Sequence, residues 1–199
     1  MADFVDPYVD PATGILRNLV AATTQEALDQ IEADLVEART VDLPKQPIKR
    51  TSDLTELRAI HRYLFADVYD WAGQLRTVDI RKNVEGSEYF VPVSLIERAA
   101  GFAAGELAED NFLRGMDRDT FIARLAHHYD QLNYIHPFRE GNGRTQRAFW
   151  DRVARNAGWQ LTWLSVTGEV NDRASRVASE TQDLGPLIAI FHEIVGPLT

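Results

Sequence analysis

The chain is 199 residues long, 45% hydrophobic and 26% charged, proportions that fit one globular domain with its own core and exclude a disordered chain. Its 30 acidic against 21 basic side chains leave a net charge of −9, the wrong sign for a general nucleic-acid binder, whose non-specific affinity comes mostly from phosphate attraction. With no cysteine, disulfides, thiolate catalysis and cysteine–zinc sites are excluded.

The sequence opens without the basic start and apolar run of a signal peptide, and its longest unbroken apolar run, Leu187–Phe191, is far short of a membrane span. No export signal and no membrane helix are expected. Residues 1–22 read as an extended leading segment broken by Pro7, Pro11 and Gly14. Thr23 with Glu26 three residues on forms a capping-box pattern, predicting an amphipathic helix that ends near Arg39. A loop with two prolines leads to a second helix over about 53–69, where Leu54, Leu57, Ile60, Leu64, Phe65 and Val68 recur at helical spacing.

The pattern then changes. Val78 and Ile80 alternate with polar residues, Glu85-Gly86-Ser87 supplies a turn and Tyr89–Val91 is β-prone, which predicts a short hairpin over 78–91. Further helices are predicted over about 94–109 (Ser94 as cap, Glu97 three on), 119–134 (Phe121, Leu125, His128 and Leu132 on one face), 143–156 (stopped by Gly158), 168–181, and 186–195 (opened by Gly185-Pro186). The chain is thus predicted to be all-α, a helical bundle with one small β-hairpin and no internal repeat.

One stretch carries chemistry, NYIHPFREGNGRTQRAFW at residues 133–150. Gly141-Asn142-Gly143 lies between a broken loop and a helix start, where close backbone approach, exposed N–H groups and the helix dipole favour an anion. Arg144 and Arg147 are three apart and share a helix face, so they can fork onto phosphate oxygens. Glu140 would repel that phosphate unless magnesium stood between them, an ion that commonly takes one carboxylate, phosphate oxygens and waters. His136, ahead of Pro137, has a side chain whose ordinary pKa of about 6.5 suits taking a proton from a hydroxyl at neutral pH. A base, a metal anchor, an anion cradle and two cations are the parts of a phosphoryl-type transfer.

Residues 136–147 match His-x-Phe-x-(Asp/Glu)-Gly-Asn-Gly-Arg-x-x-Arg at every specified position, and the chain is similar to the Fic family on that signature. DPYVDPATGILRN and DVYDWAGQLRTVDI resemble the family's N-terminal segment and its approach to the hairpin. The resemblance implies a single Fic domain over 1–199, with a leading segment and helix over 1–50 and a core over 51–199. It also implies a bacterial protein adenylyltransferase, a nucleotidyltransferase that moves AMP from ATP to a Ser, Thr or Tyr hydroxyl and releases pyrophosphate. In that reading His136 is the base, Glu140 holds magnesium, Gly141, Asn142 and Gly143 cradle phosphates, and Arg144 and Arg147 take their β/γ end. Phe138 plugs the core to fix the loop, and Arg139, at an unspecified position, is solvated. The hairpin becomes a flap along which a target strand can pair, with Lys82 and Asn83 near its tip as contacts to nucleotide or target.

A related branch that acts as a kinase has Lys where Gly143 stands, so the resemblance favours nucleotidyl over phosphoryl transfer. Many relatives are restrained by a helix with Ser/Thr-x-x-x-Glu-Gly/Asn whose glutamate takes the second arginine. Here Ser52/Glu56 and Ser165/Glu169 have the spacing, but Leu57 and Val170 follow. The chain therefore resembles toxins whose inhibitory helix arrives on a separate small antitoxin, some of which modify type II topoisomerase subunits. A cytoplasmic site of action follows, or delivery to another cell for an effector. The alternatives are a nucleotide-binding module without transfer, and transfer of another nucleotide or a phosphoryl group. His61, His127, His128 and His192 show no zinc-ligand spacing, and the four tryptophans read as core or rim residues.

Overall fold

The structure, a computed structural model, describes residues 6–81 and 90–198. Among these are seven α-helices: α1 (Gln25–Asp42), α2 (Leu54–Phe65), α3 (Ile96–Glu109), α4 (Arg118–Ile135), α5 (Asn142–Asn156), α6 (Gly168–Thr181) and α7 (Gly185–Ile194). Two three-residue strands, β1 (Trp159–Leu161) and β2 (Val195–Pro197), pair antiparallel with Trp159 opposite Pro197 and Leu161 opposite Val195. No helix among the described residues is long and apolar enough to cross a membrane.

α4 is the central element, packed against α3, α5, α6 and α7. Its buried side chains include Phe121, Ile122, Leu125, Ala126, His128 and Tyr129, a broader face than one predicted stripe, because neighbours cover it on several sides. α2 packs on α1 and α5, placing Leu57, Ile60, Leu64 and Phe65 in the same core. The leading segment docks through buried Tyr8, Ile15 and Leu16, with a bridge between Val9 and Leu16.

Several boundaries differ from the sequence reading for identifiable reasons. Thr24, not Thr23, caps α1, its hydroxyl accepting from Ala27 N–H. α2 ends at Phe65 rather than near Tyr69, because the N–H groups of Val68 and Tyr69 both return to the Phe65 carbonyl while Val68 C=O is taken by Leu19 N–H. Ser94 caps nothing. A 3₁₀ turn at Val93–Leu95 intervenes, and Val93 N–H is taken by the Asp79 carboxylate. The β1–β2 pair was not anticipated: three-residue strands carry no periodicity, and β2 continues the apolar pattern of α7. Of the predicted hairpin, the ends are visible, with Phe90 N–H donating to Ile80 C=O at 3.1 Å; residues 82–89 lie outside the described residues.

α2 and α5 are locked by a buried ion pair. Arg152 Nε lies 2.5 Å from Glu56 Oε1, and the other Glu56 oxygen accepts from Ser52 N–H at 2.8 Å. Removing one partner strands the other charge away from water, which costs about 3–5 kcal/mol. Glu56→Ala should therefore lower unfolding stability by about that amount in urea titrations. A loss under about 1 kcal/mol would mean that water screens the pair as it screens surface pairs.

Candidate active site

The loop from His136 to Gly141 joins α4 to α5, and three of its carbonyls, those of His136, Pro137 and Glu140, are held by residues distant in sequence. His136 ends α4 in the left-handed region (φ 46°, ψ 62°), its own N–H still reaching Leu132 C=O. That conformation strains a non-glycine residue by about 1–2 kcal/mol, so something must hold it. Arg76 does: its Nε donates to His136 C=O at 2.9 Å and its backbone N–H donates to Pro137 C=O at 2.9 Å. The rest of this guanidinium, itself 1% exposed, donates to the carbonyls of Val78, Val91 and Ile135.

Further along, the Asn142 side chain closes a two-way clamp on Phe138, accepting from its N–H at 2.9 Å and donating to its C=O at 2.8 Å. Phe138 is fully buried, stacked on the His61 imidazole with centroids 3.9 Å apart. His61 Nδ1 accepts from Gly73 N–H, so its proton is on Nε2, which donates to Glu140 C=O at 3.0 Å. Gly141 has φ 77°, and a Cβ there would stand 2.9 Å or less from three ring carbons of Phe65, so only glycine fits. Its C=O takes both the N–H and the hydroxyl of Thr145.

α5 then begins without a side-chain cap, unlike α1, α2, α4 and α6. Its first-turn N–H groups are left for an outside acceptor, reinforced by the dipole. Gly143 is exposed, and a Cβ on it would meet open space. Its φ is not in the left-handed region, so its contribution is an open mouth rather than an unusual turn.

The half-buried His136 ring lies flat against Phe90, with centroids 3.8 Å apart and planes 8° from parallel. Its Nδ1 is 3.3 Å from Asn133 C=O. A carbonyl only accepts, so in the neutral ring Nδ1 carries the proton and Nε2 the lone pair.

Arg144 crosses the Phe65 ring at 4.9 Å and ion-pairs with Glu32 on α1, while Glu140 Oε1 lies 3.5 Å away. Glu32 is 6% exposed, and its second oxygen accepts from Tyr69 hydroxyl. Burial, with that bond adding, pushes the Tyr69 pKa up, so the phenol stays a donor. Arg147 lies over the Trp163 ring at 5.1 Å, and among the described residues it forms no ion pair. Arg144 lines two cavities. One, of about 280 Å³, has Glu32, Tyr69 and Glu140 on its walls. The other, of about 370 Å³, has Arg50, Arg147, Arg155 and Trp163.

Residues 51–154 match the Fic/DOC family. The chain is 36% identical over 190 residues to the probable protein adenylyltransferase Fic of Escherichia coli, covering 96% of this chain and 92% of that one. The chain belongs to the Fic/DOC family. It is also 39% identical over 170 residues to the protein adenylyltransferase VbhT of Bartonella schoenbuchensis, covering 85% of this chain and 35% of that protein. The crystal structure of an N-terminal Fic domain from Bartonella quintana with bound ADP superposes with a TM-score of 0.89 at 27% identity, covering 96% of this chain and 95% of that one. The helical Fic fold with its minor β content is thereby shared.

Within this Fic/DOC chain, the structure brings Glu140, Gly141, Asn142, Gly143 and Arg144 together at the start of α5 and puts Arg144 and Arg147 on one cavity wall. Asn142 differs from the others, because its side chain is spent on Phe138 and only its backbone N–H is left for a ligand. Lys82 and Asn83 lie outside the described residues. Arg139 is not solvated: its Nε lies 2.8 Å from Asp6, and both side chains are mostly covered. Glu56, one of two glutamates at inhibitory spacing, is taken by Arg152, and the other, Glu169, is exposed in the first turn of α6. Sequence reading missed Glu32, His61, Tyr69, Arg76 and Phe90, whose partners in the site are 37 to 112 residues away.

Glu140 fits a magnesium ion held chiefly by phosphates and water. Its side chain is 43% exposed, Oε1 is engaged by Gly141 N–H and Arg144, and Oε2 has no hydrogen-bond partner among the described residues. No group of three or more His, Cys, Asp or Glu side chains among those residues forms a metal cage, so the ion would depend on the ligand it accompanies.

Burial drives the His61 pKa down to about 4, against the bond to Glu140 C=O, with the Arg144 charge adding to the depression. The unfolded chain binds this proton below about 6.5, while the folded chain refuses it until about 4. Stability is therefore complete above about 6.5 and declines as the pH falls towards 4, by about 3 kcal/mol from this group. Burial lowers the His128 pKa too, and acts in the same direction. Urea unfolding at pH 7 and pH 4.5 should show a loss of about 2–3 kcal/mol from His61, and His61→Gln should remove that part of the slope while lowering stability at pH 7. An unchanged slope in the variant would refute the neutral, loop-holding role.

Proposed function

We propose that the chain is a protein adenylyltransferase, transferring AMP from ATP to a Ser, Thr or Tyr hydroxyl of a target protein and releasing pyrophosphate. The observation that carries this reading is His136, a histidine whose proton is assigned to Nδ1, one loop away from an uncapped helix start. A binding module would need the helix start but not the base. The protein adenylyltransferase names of the similar proteins and the ADP in the Bartonella quintana structure support the same reaction.

In this mechanism the α5 N–H groups and Gly143 receive phosphate oxygens, and Arg144 and Arg147 take the β/γ end. The target hydroxyl oxygen attacks the α-phosphorus, its proton passes to His136 Nε2, and the bond from the α-phosphorus to the bridging oxygen breaks, freeing pyrophosphate. Magnesium at Glu140 Oε2 would supply charge neutralisation on the phosphates. The stacking of His136 on Phe90 restrains the imidazole ring, which lowers the cost of ordering it at each turnover.

Target capture along the 78–91 segment by strand addition suits an enzyme whose acceptor varies, with Lys82 and Asn83 as contacts and a type II topoisomerase subunit as the first target to assay. Control by a separate small antitoxin fits the arginines: Glu56 is already committed to Arg152, and Arg147, which has no carboxylate in ion-pair contact among the described residues, could take an incoming glutamate.

With magnesium and α-labelled ATP in a cell lysate, label should enter a protein, and with γ-labelled ATP it should not; the reverse would indicate kinase chemistry. His136→Ala should lower transfer by about 10²–10⁴ while ATP binding persists, as expected for loss of a general base. Retained transfer would remove His136 from that role. Arg147→Ala should weaken ATP binding more than AMP binding, and equal weakening of both would contradict its placement at the γ end.

A further inference from the structure

We propose that Glu32, on α1, is the positioning residue for Arg144, holding one side of its guanidinium so that the remaining donors serve the triphosphate. The proposal rests on the nucleotide reading above and adds a residue that lies outside both the 136–147 signature and the 51–154 family match.

Arg144 gives Nη2 to Glu32 Oε1, with Glu140 Oε1 at 3.5 Å from the same nitrogen. Its Nε and Nη1 make no hydrogen bond among the described residues, and 36% of the side chain is exposed. Glu32 is the reverse case, buried at 6% exposure with one oxygen on Arg144 and the other on Tyr69 hydroxyl. A buried carboxylate cannot give up its cation without being left uncompensated, so an arriving anion does not pull Arg144 away from it. The anion instead meets an arginine already oriented on the Phe65 face, with two nitrogens to offer.

Glu32 has a second consequence. Glu140, in the loop just ahead of α5, already lies 3.5 Å from Arg144, close enough for its carboxylate to compete for the same guanidinium. Without Glu32, Arg144 would settle on Glu140 and occupy the carboxylate assigned to magnesium. With Glu32 present, the Arg144–Glu140 contact stays long and Oε2 of Glu140 stays open.

The experiment is calorimetric binding of ATP and AMP, with magnesium, to the full chain and to Glu32→Ala, Glu32→Gln, Tyr69→Phe, Arg144→Ala and the double variant Glu32→Ala/Arg144→Ala. Glu32→Ala should raise the ATP Kd about tenfold and move the AMP Kd by less than about twofold, and Glu32→Gln, which keeps an acceptor for Arg144, should recover most of the loss. In the Arg144→Ala background Glu32→Ala should have no further effect, since it acts through that arginine. The sign is diagnostic: deleting a negative charge near an anionic ligand would by itself tighten binding. Tighter ATP binding in Glu32→Ala, or an undiminished effect in the Arg144→Ala background, would overturn the proposal. Should Glu32→Ala fail to fold, Tyr69→Phe carries the test: it removes the hydrogen bond that holds the second Glu32 oxygen, so ATP binding should weaken more than AMP binding, and unchanged or tighter ATP binding overturns the proposal. Wild-type chain that binds no ATP would defeat the nucleotide reading itself, whereas wild-type binding with the wrong response at Glu32 defeats only this inference.

Discussion

The geometry of the site depends on one buried cation. Arg76 cannot lose its proton, and at 1% exposure it must find acceptors inside the protein. It finds them in the carbonyls of Val78, Val91, Ile135 and His136. Two of these sit at the C-terminal end of α4, where unpaired carbonyls and the helix dipole already favour a positive charge. The other two lie on the segments that enter and leave residues 82–89. A single side chain thus fixes the strained peptide at His136 relative to both ends of that segment, and the cost of the left-handed histidine is met by bonds that only this conformation can make. Lysine in its place would offer a point charge with three donors and could not span the same acceptors.

The loop that follows shows a division between polar groups that hold and polar groups that remain available. Asn142, His61 and Thr145 use their side chains on the backbone at Phe138, Glu140 and Gly141, and all three are buried. Glu140, Gly143, Arg144 and Arg147 are at least partly exposed and keep capacity for a ligand. The two helix ends flanking the loop are treated in opposite ways. The negative end of α4 is satisfied internally by Arg76, while the positive end of α5 has no side-chain cap. A helix start that folding leaves unsatisfied, beside a loop that folding pins at nearly every residue, is the asymmetry expected of a preorganised anion site.

The sequence made the helices and the site's chemistry legible because both are local. Periodicity, caps and breakers located α1 to α7 to within a few residues, and the spacing from His136 to Arg147 suggested a base, a carboxylate and an anion cradle at one helix start. What it did not reveal is tertiary. Nothing within twenty residues of Arg76 announces that it serves His136, 60 positions away, and nothing in α1 distinguishes Glu32 from the other acids on a helix rich in them. Burial decides both, and burial of a charged residue is the event that pattern reading assigns the lowest prior. Arg139 shows the same limit from the other side: a position that the signature leaves unspecified is half-buried because the leading segment brings Asp6 to it.

Charge gives the last step. A chain with net charge −9 repels a nucleotide triphosphate at long range, yet at physiological ionic strength that repulsion is screened beyond about 8 Å. Affinity must therefore come from what acts within one helical turn. Arg144 contributes little net charge there, since Glu32 and Glu140 both face it; its value is directional, a fixed fork of donors. Arg147, with an aromatic face beneath it and no carboxylate in ion-pair contact among the described residues, supplies the uncompensated positive charge, and the α5 dipole supplies the rest. The two arginines of the signature are consequently not duplicates. On the proposed nucleotide reading one would orient the anion and the other attract it, and a competing carboxylate from outside would gain most by taking the second.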